Sequence, residues 1–373
     1  MNYRSQDTEF QIVQYSQTDK NVRHQYMTKI DGEIVDHPTP IHGGSGFIGS
    51  WIIRLLLSRG YTVHATVKDL GNPKETKHLK VLLDEARVDS SCLQLFQLDL
   101  LNYETCHAAV RDTSGVFHVA SPCTLERLDP QKELLDPAVK GTINVLRSAR
   151  ECGISRVIVT SSVAAIMPSP DWSAHVPKVE NCWTDVEYCK KKELWYLISK
   201  TLAEKAASEF GKENGMDVII VNPGTVLGHM IQLDLNASMA QILHLLQVNH
   251  PVCLWLMINN HGSAEEYCDI FMGPIHVKDV ALAHILVYEN QIASGRHLCI
   301  QSITHWSDFA AKVVEMYPDY KLPCFPKDTQ PGLLRVSDPS KKLIELGIEF
   351  TSMEQIIKDS VESLKARGYL STN

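Results

Sequence analysis

The sequence predicts an α/β fold: a doubly wound parallel sheet with a smaller C-terminal lobe. Short apolar segments of strand length alternate with helical periodicity through the N-terminal part of the chain. This alternation is typical of parallel sheets that helices cover on both faces. A glycine-rich turn also stands directly before the first long helical pattern. Beyond residue 223 the pattern becomes irregular, with late helices expected over residues 236–246, 308–316 and 353–367.

The first strand of the sheet should end directly before the glycine-rich turn, but residues 37–42 contain two prolines. Proline has no N–H to donate to a ladder, so it is disfavoured in a central strand. If this strand is absent, both cofactor binding and folding are at risk. Residues 1–36 are expected to be disordered, and residues 249–261 to form an insertion.

Residues 43–49 carry the pattern G-x-x-G-x-x-G, and the helix that follows is predicted to end at Gly60. Glycines let the backbone turn tightly and approach a pyrophosphate, and a helix N-terminus favours the anion. A strand over residues 61–67 completes the context of a dinucleotide-binding unit. The loop residues assigned to the cofactor are Gly43, Ser45, Gly46, Phe47, Ile48 and Gly49.

The residue after the second strand indicates which dinucleotide is bound. Sites that prefer NAD place a carboxylate there for the ribose 2′-hydroxyl. This chain has Lys68 instead, with Lys74 nearby. A cation suits a 2′-phosphate, so we predict NADP(H) as the cofactor. The alternative is that these lysines merely solvate a loop.

Further strands are predicted over residues 93–98, 116–120, 157–160 and 218–221. Their ends supply more candidate contacts, because ligands bind at the carboxyl ends of strands in open α/β sheets. An acid after the first of them could accept a hydrogen bond from adenine, and small residues after the second leave room for the cofactor. Each could equally be a turn or packing residue. The candidates are Asp99, Leu100, Val119, Ala120 and Ser121.

The predicted catalytic residues lie at a strand end and on the next helix, expected over residues 185–215. Tyr196 and Lys200 are four residues apart and so share one helix face. A lysine ammonium beside a phenol favours the phenolate, which makes the tyrosine a proton donor to a developing alkoxide. Ser162, at the mouth of the strand, would hydrogen-bond to the same oxygen. Simple aromatic packing is the alternative for Tyr196.

Two other Tyr-x-x-x-Lys matches are weaker. Tyr188 precedes a run of lysines that is typical of a solvated helix start. Pro318 interrupts the pattern that begins at Tyr317, because its ring and missing N–H do not fit inside a helix. Neither pair is therefore assigned a catalytic role.

Composition excludes several other functions. The 36 basic and 44 acidic residues give a net charge of −8, which argues against nucleic-acid partners and anionic membranes. The N-terminal residues contain no apolar run typical of a signal peptide, and we expect no stretch long enough to span a bilayer. Its ten cysteines are scattered without metal-binding spacing. We therefore expect no metal site and a cytoplasmic monomer with reduced thiols.

Taken together, the motifs resemble the plant cinnamoyl-CoA reductases and dihydroflavonol 4-reductases, within the extended short-chain dehydrogenase/reductases of Rossmann fold. The similarity covers roughly residues 43–371. It implies that Ser162, Tyr196 and Lys200 are the catalytic residues and that Pro223 flanks the nicotinamide. It also implies an NADP-binding domain over residues 37–222, to which residues 272–300 return, and a substrate lobe over residues 223–271 and 301–373.

The chain departs from this family at positions that select the substrate. The His, Lys and Arg that handle CoA in the family correspond to Gln241, His244 and Trp306, which removes partners for CoA phosphates. An Asn of the dihydroflavonol reductases falls on Met167. The resemblance thus implies NADPH-dependent reduction of a small aromatic carbonyl of phenylpropanoid type: an aldehyde, ketone or CoA thioester. The alternatives are an NAD-retaining epimerase or dehydratase of the same fold, and an impaired paralogue or dinucleotide sensor.

Overall fold

The computed structural model describes residues 28–30, 33–35, 38–122, 129–171, 176–247, 271–320, 336 and 338–371. A small N-terminal unit contains an antiparallel hairpin of β1 (Thr28–Ile30) and β2 (Glu33–Val35). Disorder stays a prediction for the residues of 1–36 outside this hairpin. The rest of residues 1–36 and the predicted insertion at 249–261 lie outside the described residues.

The main unit is organised around one large sheet and two small ones. Its strands are β3 (Thr39–His42), β4 (Val63–Val67), β5 (Leu93–Gln97), β6 (Val116–His118), β7 (Arg156–Thr160), β8 (Asp217–Pro223), β9 (Thr225–Leu227), β10 (Phe271–Met272), β11 (Pro274–His276), β12 (Arg296–Cys299) and β13 (Thr304–His305). The large sheet has seven parallel strands in the order β12-β8-β7-β6-β3-β4-β5. The winding direction reverses between β3 and β6, so the predicted doubly wound fold is confirmed.

Helices connect these strands and cover the sheet. They are α1 (Phe47–Ser58), α2 (Pro73–Ala86), α3 (Tyr103–Val110), α4 (Asp136–Glu151), α5 (Val186–Lys191), α6 (Trp195–Asn214), α7 (Ala237–Gln247), α8 (Val277–Glu289), α9 (Trp306–Met316), α10 (Lys341–Glu345) and α11 (Met353–Ala366). The predicted late helices correspond to α7, α9 and α11. Within the described parts of the chain, no helix is both long and apolar enough to cross a bilayer.

Alternate side chains of the central strands pack into two separate apolar cores. In β7, Ile158 belongs to the core that includes residues of α1 and α8. Its neighbours Val157 and Val159 belong to the core that includes residues of α3 and α4. Because helices bury both faces, the strands contain continuous apolar runs in the sequence instead of an alternating pattern.

The strand β3 is present in the sheet, although prolines are disfavoured in a central strand. The Thr39 N–H donates to Thr62 O on the β4 side at 2.9 Å. Because successive residues of a strand direct their N–H groups to opposite sides, the missing N–H of Pro40 falls on the β6 side. Pairing there begins only at Ile41, opposite Phe117. Proline thus removes a donor just before that ladder starts, and the central strand is kept.

The single helix predicted over residues 185–215 is interrupted. Asp185 caps α5 by accepting a hydrogen bond from a backbone N–H of its first turn at 2.9 Å. Glu193 then has a φ of 56°, which a right-handed helix cannot continue. A second helix, α6, begins at Trp195 and ends before Gly215, whose φ is 62°. The break places the candidate catalytic tyrosine in the first turn of a helix.

The segment over residues 272–284 does not join the large sheet as predicted. Thr225 N–H donates to Gly273 O at 2.7 Å, and β11 pairs in parallel with β9 outside that sheet. The strand β10 pairs with β13. Only β12 returns to the large sheet, beside β8, in agreement with the prediction for residues 297–300.

Candidate active site

The glycine-rich loop follows β3 at the point where the winding of the sheet reverses. Gly43 has a φ of 86°, and a Cβ on it would lie 2.9 Å from the Ala120 backbone. A Cβ on Gly49 would lie 2.2 Å from Gly43 O. The loop is held on both sides, since Gly43 N–H donates to Thr66 Oγ1 at 3.0 Å and Ala120 N–H to His42 O at 2.8 Å. A side chain at either position would collide with neighbouring backbone, so the close packing of this loop requires glycine at both.

The first turn of α1 is suited to an anion. Gly46 is its N-cap, no side chain caps the turn, and the turn contains no acidic residue. The first N–H groups of a helix lack internal partners, and their dipoles favour a pyrophosphate. Phe47 is buried in the core, Ile48 and Ser45 are half-buried, and the N–H groups of all three belong to this turn or loop. These residues therefore fit the dinucleotide phosphates predicted for them.

The cations expected at the 2′-phosphate lie on an exposed edge. Lys68 follows β4, and Lys74 Nζ is 3.3 Å from Asp234 Oδ1. Glu75 was not predicted at this edge, but its Oε2 accepts a hydrogen bond from Lys68 N–H at 2.7 Å. The available signal was its position in the first turn of α2, three residues after the N-cap Asn72, where a glutamate can turn back toward the helix start.

The other predicted cofactor contacts lie at the ends of β5 and β6. Asp99 is exposed, and its Oδ1 accepts a hydrogen bond from Leu101 N–H at 2.9 Å, as in a local turn. Leu100 is half-buried, and its carbonyl accepts from Asn144 Nδ2 at 2.9 Å. The half-buried residues after β6 are Val119, Ala120 and Ser121. Contacts of these five residues with the cofactor stay predictions.

The three predicted catalytic residues lie near one strand end. The Oγ of Ser162, two residues beyond β7, accepts a hydrogen bond from Ala164 N–H at 3.2 Å. The buried Lys200 donates from Nζ to Thr160 O at 3.5 Å. Tyr196, one helical turn before Lys200, is half-buried and packs on the same apolar cluster as Ala164. Pro223 ends the neighbouring strand β8.

The two competing tyrosine–lysine pairs are arranged differently. Tyr188 lies in α5, but Lys192 is exposed beyond the end of that helix. Tyr317 terminates α9, and Lys321 lies outside the described residues. Tyr196 and Lys200 lie together within one helix, α6.

A buried polar network that was not predicted from the sequence lies behind Ser162. Glu204 is buried and accepts hydrogen bonds from Ser161 Oγ, from Arg296 Nε and from Asn222 Nδ2, the last at 2.8 Å. Asn222 Nδ2 also donates to Ser162 O at 3.2 Å. The network therefore connects an ion pair to the backbone of the candidate catalytic serine. Its only sequence signal is an acid on the buried side of a helix.

The guanidinium of Arg296 extends this network to the loop before α5. It donates to the carbonyl oxygens of Glu180 at 2.5 Å, Cys182 at 2.6 Å and Ala165 at 3.3 Å. It also lies 3.8 Å from the ring centroid of Trp183. A single side chain from β12 thus fixes the backbone on both sides of this loop.

Two buried histidines face each other beside this strand end, and one of them, His118, interacts with the charge of Lys200. His42 and His118 end the neighbouring strands β3 and β6, with ring centroids 5.9 Å apart. Burial lowers the pKa of His42 to about 4. Burial, followed by the charges of His42 and Lys200, holds the pKa of His118 well below its usual range. Both imidazoles are therefore neutral near neutral pH, and the positive charge beside them belongs to Lys200.

Hydride transfer to a carbonyl requires a bound dinucleotide and a proton donor at the same edge of the sheet, and this geometry offers places for both. This arrangement of dinucleotide-binding loop and proton donor is characteristic of Rossmann-fold oxidoreductases that use NAD(P). The chain belongs to the NAD dependent epimerase/dehydratase family, whose model matches residues 40–300.

Known relatives agree with this assignment. Cinnamoyl-CoA reductase CAD2 of Medicago truncatula is 42% identical over 331 residues, which cover 88% of this chain and 96% of the relative. The crystal structure of vestitone reductase from alfalfa has a TM-score of 0.72 and 28% identity, covering 90% of this chain and 100% of that one. Gre2 from Candida albicans, in complex with NADPH, has a TM-score of 0.72 and 26% identity, covering 89% and 99%. The predicted family, oxidoreductase class and NADP(H) cofactor are confirmed.

Proposed function

We propose that this protein is an NADPH-dependent reductase of small phenylpropanoid-type carbonyls. The observation that carries the proposal is the hydrogen bond from Lys200 Nζ to Thr160 O, which holds the Tyr196–Lys200 face of α6 at the end of β7. When bound, NADPH supplies the hydride that reduces the carbonyl carbon. The Tyr196 hydroxyl donates the proton to the carbonyl oxygen, Lys200 favours the phenolate that remains, and Ser162 orients the oxygen.

The remaining assignments follow the chain from strand to strand. The first turn of α1 binds the pyrophosphate, Lys68 and Lys74 bind near the 2′-phosphate, and Pro223 flanks the nicotinamide. Residues 37–222 and 272–300 form the cofactor domain. Residues 223–271 and 301–373 form the substrate lobe. This division leaves the substrate cleft beside the end of β8.

We favour an aldehyde or ketone over a CoA thioester as the substrate. Gln241 is 3% exposed, and Trp306 is 8% exposed and stacked on Phe309, so neither offers a group to CoA phosphates. Met167 is 40% exposed, and its N–H donates to Val163 O at 3.1 Å, in the turn after Ser162. An apolar side chain beside that turn suits an aromatic ring.

A panel of carbonyls tests this function with the purified protein. NADPH consumption would be recorded with cinnamaldehydes, phenylacetaldehyde, dihydroflavonols and cinnamoyl-CoAs. We expect the highest kcat/KM for an aldehyde or ketone. Consumption with none of these compounds would contradict the proposed function. Faster turnover of cinnamoyl-CoAs would overturn only the argument about substrate type.

We also propose a cytoplasmic monomer. The described cysteines are free thiols, which a reducing compartment maintains. Few large apolar residues are exposed in the described ranges, which supports a surface without a large apolar interface: Leu70, Val81, Leu101, Met167, Val176, Leu233, Ile292 and Ile344. Sedimentation of the purified protein at several concentrations checks the oligomeric state.

A further inference from the structure

The carboxyl end of β4 holds a carboxylate that comes from the next helix. Lys68 N–H donates to Glu75 Oε2 at 2.7 Å, and Asp69 N–H points to the same oxygen at 3.4 Å. The start of α2 fixes this geometry, because Asn72 Oδ1 accepts from Lys74 N–H at 3.0 Å. Glu75 is therefore directed back to the strand end by the cap of its own helix.

The strand end in question is where the adenosine ribose of a dinucleotide lies in this fold. Two consecutive N–H groups that converge on one oxygen form a small anion-binding nest. A ribose 2′-phosphate would use these donors together with the Lys68 ammonium. In this chain a carboxylate already occupies the donors, so the phosphate would meet a like charge there.

The second cation expected at this edge is also engaged by an acid. Lys74 Nζ lies 3.3 Å from Asp234 Oδ1, and both side chains are largely exposed. Glu75 thus occupies the backbone donors, and Asp234 the lysine, that a 2′-phosphate would need. A ribose 2′-hydroxyl, by contrast, can donate a hydrogen bond to the carboxylate of Glu75, as it does to the acid of NAD-binding sites.

We propose that Glu75 is a specificity-determining residue for the cofactor: its carboxylate weakens the preference for NADPH over NADH that Lys68 and Lys74 would otherwise give. The proposal rests on the proposed function, in that it assumes a nicotinamide dinucleotide in this cleft. It concerns only the 2′ position of the adenosine ribose. The proton-donating residues at the end of β7 have no part in it.

Titration calorimetry with adenosine fragments isolates this position. 2′,5′-ADP carries the phosphate in question and 5′-AMP lacks it, and neither needs a nicotinamide or a carbonyl substrate. For Glu75→Gln we expect the affinity for 2′,5′-ADP to rise by about tenfold, because a charge that opposes the phosphate is removed. The affinity for 5′-AMP should change by less than about twofold. Glu75→Ala is the second variant, and it should give the same selective gain.

Glu104→Gln is the matched control, since Glu104 is an exposed acid in the first turn of the next helix, α3. An equal rise in 2′,5′-ADP affinity for Glu104→Gln would show that the effect comes from net charge alone, and it would overturn the proposal. The same holds if the Glu75 variants bind 2′,5′-ADP and 5′-AMP with equally increased affinity. Unchanged binding of 2′,5′-ADP by both Glu75 variants would also overturn it. If the unaltered protein bound neither fragment, the cofactor assignment itself would fail and this inference with it.

Discussion

The charged groups near two strand ends of the same sheet differ in their exposure to solvent: they are buried near one end and exposed near the other. At the end of β7 the carboxylate of Glu204 is buried, and its hydrogen-bond donors include the guanidinium of Arg296. At the end of β4 the side chains of Lys74 and Asp234 are 66% and 72% exposed. Charges that are buried and hydrogen-bonded interact strongly, whereas exposed pairs are screened by solvent.

This difference separates the two tasks of the site. The buried network holds the candidate proton-transfer residues in one geometry, so changes there should affect folding as well as chemistry. In our proposal, the exposed edge selects between two cofactors that differ by one phosphate. Changes there should shift binding by small free energies while the fold is kept. The predictions below test this contrast from the largest expected effect to the smallest.

Tyr196→Phe should give the largest functional effect with the least structural change. Only the hydroxyl is lost, so the half-buried ring still packs. Because general acid catalysis contributes at least about 100-fold, kcat/KM should fall by that factor or more. NADPH affinity, measured by fluorescence titration, should stay nearly unchanged.

Tyr188→Phe and Tyr317→Phe are the matched controls for the other two tyrosine–lysine patterns. Both should keep their activity, because neither tyrosine shares a helix face with a lysine in the way Tyr196 does. Turnover by Tyr196→Phe comparable to that of the unaltered protein would remove Tyr196 from the mechanism.

Glu204→Gln should reduce the free energy of unfolding by about 3–5 kcal/mol, because it leaves the Arg296 guanidinium buried without its counter-ion. Urea unfolding followed by circular dichroism measures this loss. Glu209→Gln, an exposed position on the same helix, should change stability by less than about 0.5 kcal/mol. The double variant Glu204→Met/Arg296→Met should recover only part of the loss, because it removes the unpaired charge but leaves Ser161 Oγ and the carbonyl oxygens bound by Arg296 without these partners. Equal stability of Glu204→Gln and Glu209→Gln would refute the contrast between the buried network and the exposed edge.

Lys68→Glu should give a smaller effect that is confined to the cofactor. A second carboxylate beside Glu75 repels the 2′-phosphate and accepts from a 2′-hydroxyl. The ratio of NADPH to NADH affinity should fall by about tenfold, or 1.4 kcal/mol. Thermal unfolding should be nearly unchanged, because Lys68 is exposed. Lys80→Glu, also exposed and on α2, serves as the control, and an unchanged ratio for Lys68→Glu would move the phosphate contact to Lys74.

Local patterns made much of the fold predictable from the sequence. The glycine loop, the apolar strands and the helix that carries Tyr196 and Lys200 depend on residues close together in the chain. Whether strand β3 tolerates Pro40 was not predictable in this way. It depends on which neighbouring strand the missing N–H of Pro40 would face. That direction is set by the pairing register of β3 with β4 and β6.

The charged contacts were the least predictable part of the site. Glu204 and Arg296 are 92 residues apart, so no local pattern relates them. Glu75 lies close to Lys68 in sequence, but only the capped start of α2 turns its side chain back to the strand end. The motif predicts an acid at the end of the strand itself, whereas in the structure the acid comes from the following helix.

The position of Arg296 in the chain has a consequence for biosynthesis. Its guanidinium binds carbonyl oxygens 114 and 116 residues earlier, and it neutralises an acid on α6. A ribosome that has released β3 to β8 but not yet β12 therefore carries a nascent polypeptide whose Glu204 lacks its counter-ion. Burying that acid alone is strongly unfavourable. The hydrogen-bond network behind the candidate catalytic residues can thus form only after residue 296 has left the ribosome. Chains that terminate before this residue cannot complete the network.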